Sequence, residues 1–138
     1  MSALPSGLPE HIDDEEPLAR FLTSSGQFSA TKGVVKGAAF LPKEGETSVS
    51  RHGAEPLESL RELGKPAAGE RPLYGAAIVQ AADVRMASLD ASADEPPPRH
   101  AILTNWPVGS GDPELLRSKH KDIAHLIASR AVLIRFAL

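Results

Sequence analysis

A chain of 138 residues with no cysteine and a formal net charge of −3 can hold no disulfide framework, thiolate metal site or cysteine nucleophile. Its acidic balance argues against broad nucleic-acid binding, which needs a basic surface, and no apolar run approaches the ~18 residues of a membrane span. With 41% hydrophobic and 24% charged residues, the composition is that of one globular domain with its own core.

Residues 1–12 carry Pro5, Gly7 and Pro9 and are expected as a mobile tail before a single domain over 13–138. The start lacks a basic n-region and an apolar h-region, so it does not read as a secretory signal. Absence of cysteine agrees with a reducing cytoplasm, and a cytoplasmic location is expected. Asp13 or Asp14 is placed as an N-cap, with Glu15, Glu16 and Pro17 in the first turn of a helix. Leu18, Phe21 and Leu22 give its i, i+3, i+4 stripe, and Ser24-Ser25-Gly26 ends it.

Phe28 and Val34-Val35 are anchors in an otherwise weakly patterned loop. The run 38–41 reads as a strand stopped by Pro42, the run 47–51 as its β-prone partner, and the polar turn between them suggests a hairpin. Leu57, Leu60 and Leu63 predict a helix over 56–63 with Gly64 at its C′ position. The run 73–79 is the strongest strand signal, nearly all apolar and therefore central. Gly75 within it points to a bulge or a close backbone approach. Over 81–89 one helical turn followed by an extended piece is expected.

Pro96-Pro97-Pro98 predicts a stiff, solvated polyproline II strut feeding a short buried strand at Ala101-Ile102-Leu103. Asp112-Pro113-Glu114 is a strong helix start, with N-cap, proline at the first position and acid in the first turn. Leu116, His120, Ile123 and Ile127 then share one side to about Ser129. The run 131–136 closes the chain as a strand. The fold class is therefore α+β: a small mixed or antiparallel sheet covered by two or three helices on one face, the longest near the C-terminus.

Chemistry is sparse. Two Arg-His dipeptides, Arg51-His52 and Arg99-His100, sit at the edges of predicted strands. If those strands are neighbours, two imidazoles and two guanidinium forks could converge on a phosphate or carboxylate. Polar strand ends meeting water are the weightier explanation. His52-Gly-Ala and His100-Ala-Ile lack the hydroxyl residue of the two-histidine phosphoesterases. His120 and His125 lie five apart, about 140° around a helix, so they point to different faces and no metal is expected. Gly109-Ser110-Gly111 lacks the Walker lysine, and no Gly-x-Ser-x-Gly elbow occurs. Trp106 is either a core plug or a stacking surface beside the Arg99-His100 junction, with the plug reading weightier.

The segments around Phe28-Ser29, Ala39-Phe40-Leu41-Pro42, Val49-Ser50-Arg51, Tyr74-Gly75, Glu95 to Ile102 and Trp106-Pro107 resemble a small family of uncharacterised bacterial proteins. The resemblance spans roughly 18–130 and implies a bacterial origin, but no activity, cofactor or site residue. The expectation is a non-enzymatic binding or accessory protein acting through protein contacts, without cofactor or membrane partner. The alternative is a small nucleotide- or phosphoester-binding enzyme using Arg51, His52, Arg99 and His100, with Trp106 nearby and a phosphorylated small molecule as ligand. Weak nucleic-acid contact through Arg117, Lys119, Lys121 and Arg130 ranks third; whether the chain is an enzyme is left open.

Overall fold

The computed structural model describes residues 4–52, 56–109 and 111–136. Its strands are β1 (Pro17–Leu22), β2 (Phe28–Ser29), β3 (Val34–Val35), β4 (Thr47–Arg51), β5 (Gly75–Gln80), β6 (Asp90–Ala93), β7 (His100–Thr104) and β8 (Val132–Arg135). The helices are α1 (Leu57–Ala68), α2 (Ala81–Met86) and α3 (Pro113–Arg130). Six strands form one antiparallel sheet in the order β6-β7-β4-β1-β5-β8, and β2 and β3 form a separate two-stranded ribbon. The class is α+β, and the longest helix lies near the C-terminus.

β1 and β5 are apolar on both sides because both faces of the sheet are covered. Leu18, Leu22, Ala77 and Val79 enter the main core with Val84 of α2 and Ala124, Ile127 and Ala128 of α3. Ala19, Phe21 and Ala76 enter a second, smaller cluster with Leu60 of α1 and Phe136. The helices therefore flank the sheet rather than sharing one face: α2 and α3 lie on one side, α1 on the other.

Several local expectations are corrected. The helix expected from 13 is the strand β1, with four of its six residues buried. A strand buried on both sides shows no period-2 alternation, so its apolar positions mimic a helical stripe. The expected strand at 38–41 is a 3-10 turn over Gly37–Ala39, followed by Phe40 at 0% exposure. A Cβ on Gly37 would stand 3.2 Å from the His125 backbone nitrogen, so glycine lets this turn rest directly on α3. α1 does not stop at Gly64 but runs to Ala68, ending at Gly69 with φ +62°. Gly64 is instead buried where a Cβ would meet the Phe21 ring at 2.7 Å, and close packing outweighs its low helix propensity.

The proline run is not a strut. Asp94 N–H donates to His100 O at 2.9 Å and His100 N–H to Pro97 O at 3.1 Å, folding 94–100 into the turn that joins β6 to β7. Both the Glu95–Pro96 and Pro96–Pro97 peptide bonds are cis. Asp112 caps α3 as expected, its Oδ1 accepting from Glu114 N–H at 2.9 Å. Gly75 is the close approach the sequence suggests: a Cβ there would lie 2.1 Å from Ile134 O across the β5–β8 ladder. The Gly75→Ala variant should lose about 1–3 kcal/mol in chemical denaturation; an unchanged midpoint would contradict that packing.

Residues 4–16 cross the open end of the core and are tied to it. Ile12 is 1% exposed. Arg51 carries no exposed surface, and its guanidinium meets Glu16 through both arms, Nε–Oε2 at 2.5 Å and Nη2–Oε1 at 2.7 Å. Nη1 donates to Pro9 O. Hydrogen bonding to Glu16 raises the Arg51 pKa against the opposing effect of burial. A buried, bidentate pair of this kind is costly to break singly, because the surviving ion stays desolvated. Glu16→Ala should therefore cost about 3–5 kcal/mol in a urea melt, and adding Arg51→Met should restore much of it.

Candidate functional site

α1 covers the sheet over β1, β5 and β8 and leaves the β4–β7 half of that face open. The result is a groove of about 1060 Å³ with Ser48, Ser50 and His100 on its floor. Leu63 and Pro66 of α1 form one wall; Pro97, Pro98 and Arg99 from the β6–β7 turn form the opposite rim.

Two arginines, Arg20 and Arg71, line the groove, which also carries Glu44, Glu46 and Glu62. β1 and β4 keep register for only two pairs, Leu18↔Arg51 and Ala19↔Ser50. Beyond them Arg20 bridges β1 to its neighbours, donating from Nε to Ala39 O at 2.7 Å and from Nη1 to Ser48 O at 2.9 Å. Burial, and then the charge of Arg71, lowers the Arg20 pKa. Arg71 itself donates to Ala68 O and Ala67 O, covering the carbonyl end of α1 where cations are favoured. Two guanidinium groups thus line the groove together.

The two Arg-His dipeptides do lie on neighbouring strands, but their four side chains do not converge. β4 pairs β7 with Ser50 opposite His100, so Arg51 stands opposite Arg99 and its N–H donates to Arg99 O at 2.7 Å. Alternation sends Arg51 to the face opposite that of Ser50 and His100, and Arg99, which precedes β7, departs from the strand's alternation. Arg51 goes to the core and is consumed by Glu16 and Pro9. Arg99, at φ +68°, and His100 line the groove. His52 is half-buried, donates its N–H to Pro17 O at 3.1 Å and does not line the groove. Trp106 is a core plug at 5% exposure, its ring edge-on to His120 with centroids 5.5 Å apart. His120 is half-buried with Nε2 2.8 Å from Pro107 O. His125 is exposed, and no group of three or more potential metal ligands converges among the described residues. Ser110 of the Gly-Ser-Gly connector lies outside the described residues.

His100 is held on one nitrogen. Its Nδ1 lies 2.9 Å from Asp94 O and 3.0 Å from Asp94 Oδ2. The turn carrying these residues is fastened by Glu95, whose carboxylate accepts from Ser6 Oγ at 2.6 Å and Ser6 N–H at 3.0 Å. Desolvation raises the Glu95 pKa, but the Ser6 bonds, the Arg99 amide and the Arg51 charge outweigh it and set the carboxyl below its ordinary value. Ser48, Ser50 and Arg71 were not singled out from sequence. Register and the end of α1 place them, and neither leaves a local signal.

A second hollow of about 650 Å³ is lined by Glu10, Asp13, Asp14 and Asp90. Arg85 already pairs with Asp14 at 2.6 Å and with Asp90 at 3.1 Å there. Comparison of the chain with family models, curated proteins and solved structures gives no match, so the site is read from its own geometry.

Because the folded Glu95 pKa is depressed, its contribution to stability is present above the ordinary value of 4.5 and lost as pH falls through the lower folded value. Glu95→Gln should therefore lose less thermal stability than the parent chain between pH 5 and pH 3. An identical acid slope would show that Glu95 does not fasten the turn.

Proposed function

We propose that the protein works by binding, and that the occupant of the α1–β4–β7 groove is an extended segment of a partner protein carrying a carboxylate. What supports this is the combination of size, polarity and charge in one concavity. At about 1060 Å³ the groove is at the upper end of the ~300–1,000 Å³ of small-molecule sites. Leu63, Pro66 and Leu41 supply apolar contact, and Arg20 and Arg71 supply the complement to an acid. No helix among the described residues is long and apolar enough to cross a membrane.

The phosphoester reading keeps only Arg99 and His100 of its four residues in the groove, since Arg51 is committed to Glu16. The binding reading needs no such convergence. Fluorescently labelled decapeptides of alternating Glu and Leu, or of Lys and Leu, test it by anisotropy. The acidic peptide should bind, weaken with salt, and lose about tenfold in affinity (~1.4 kcal/mol) on Arg71→Glu. Equal binding of the basic peptide, or no effect of Arg71→Glu, would contradict the reading.

A further inference from the structure

We propose that Ser50, His100 and Asp94 form a hydrolytic centre on the groove floor, acting on carboxylic esters whose apolar arm lies against Leu63 and Pro66. This rests on the groove being a binding site and adds chemistry to it.

The argument begins with the ladder. Ser50 and His100 are register partners of β4 and β7. Arg51 N–H is bonded to Arg99 O, whereas His100 N–H goes to Pro97 O and His100 O accepts from Asp94 N–H, both away from β4. Ser50 and His100 are therefore a non-hydrogen-bonded pair, the closer kind, with Cα atoms about 4.5 Å apart. Directly opposed residues share a face, and both of these line the groove.

His100 is then ordered from its other side. The two atoms near Nδ1, Asp94 O and Asp94 Oδ2, are both acceptors, so Nδ1 carries the proton. The neutral ring presents Nε2 as a lone-pair nitrogen. A hydroxyl, an imidazole and a carboxylate in that order divide the work of acyl transfer among nucleophile, base and orienting group. Asp94 is a positioning residue; Ser50 and His100 would touch the substrate.

The step balances without a co-reactant other than water. Ser50 Oγ forms a bond to the acyl carbon as its proton passes to His100 Nε2. The ester C–O bond breaks and the alcohol leaves with that proton. Water, losing a proton to the same nitrogen, then releases the acid and regenerates Ser50 as the proton returns to Oγ. Arg99 lines the same groove beside His100, and its positive charge there would favour the tetrahedral oxyanion.

A fluorophosphonate probe tests this directly, because an activated serine displaces its fluoride and keeps the phosphonyl group. The full-length chain is treated with the probe, the adduct is located by peptide mass mapping, and p-nitrophenyl butyrate hydrolysis is followed in parallel. The adduct is expected on Ser50 and absent from Ser50→Ala. Labelling should slow at least about 100-fold in His100→Gln, the lower end of general-base effects, and at least tenfold in Asp94→Asn. Thermal unfolding of each variant establishes that it is folded. Failure of the probe to label Ser50, or an undiminished rate in folded His100→Gln, would overturn the proposal. Peptide binding by the unsubstituted chain separates the two readings: binding without Ser50 labelling defeats the hydrolytic centre alone, and labelling without binding defeats the peptide reading alone.

Discussion

The buried pair of Arg51 and Glu16 governs how the rest of the molecule is arranged. A strand sends successive side chains to opposite faces, so committing one residue to the core commits its neighbours. Arg51 lies in the core with no exposed surface, alongside Thr47 and Val49 of the same strand. Ser48 and Ser50 are thereby turned to the other face, where the groove is. A guanidinium is a poor thing to bury without a partner, and the partner comes from the segment before β1. That one pair ties the crossing N-terminal segment, β1 and β4 together at the centre of the sheet.

Much of the fold could be read in the residues. Asp112-Pro113-Glu114 began α3 as its chemistry required, and the apolar run around Ile78 and Val79 became β5. The piece after Ala81 became α2 followed by β6, and the final run became β8. Misreadings fell where tertiary burial overrides local signals. Leu18, Phe21 and Leu22 fit a helical stripe and a doubly buried strand equally well, and only the presence of neighbours on both faces decides between them. Pro96-Pro97-Pro98 favours an extended run in isolation, yet Asp94 and His100 close it into a turn. Gly64 looked like a helix end because its packing against Phe21 is a long-range fact.

The site was half legible. Arg99 and His100 stood out as a dipeptide at a strand edge, and both line the groove. Arg51 stood out for the same reason and went the other way, because face alternation relative to a partner strand cannot be read from one strand. Ser50 carries no mark in the sequence at all; it matters through what stands opposite it. Asp94 and Glu95 are adjacent carboxylates that take different partners, Asp94 meeting the His100 ring and Glu95 fastening Ser6.

The central claim is the β4–β7 register, since the groove floor and the chemistry assigned to it both follow from it. It is measured most directly by nuclear Overhauser spectroscopy in D₂O. A non-hydrogen-bonded antiparallel pair brings its two Hα atoms closest, so a strong Hα–Hα cross-peak between Ser50 and His100 is predicted. A strong Hα–Hα cross-peak from Arg51 to His100 in its place would mean a slipped ladder, with Ser50 no longer facing His100, and would contradict the account.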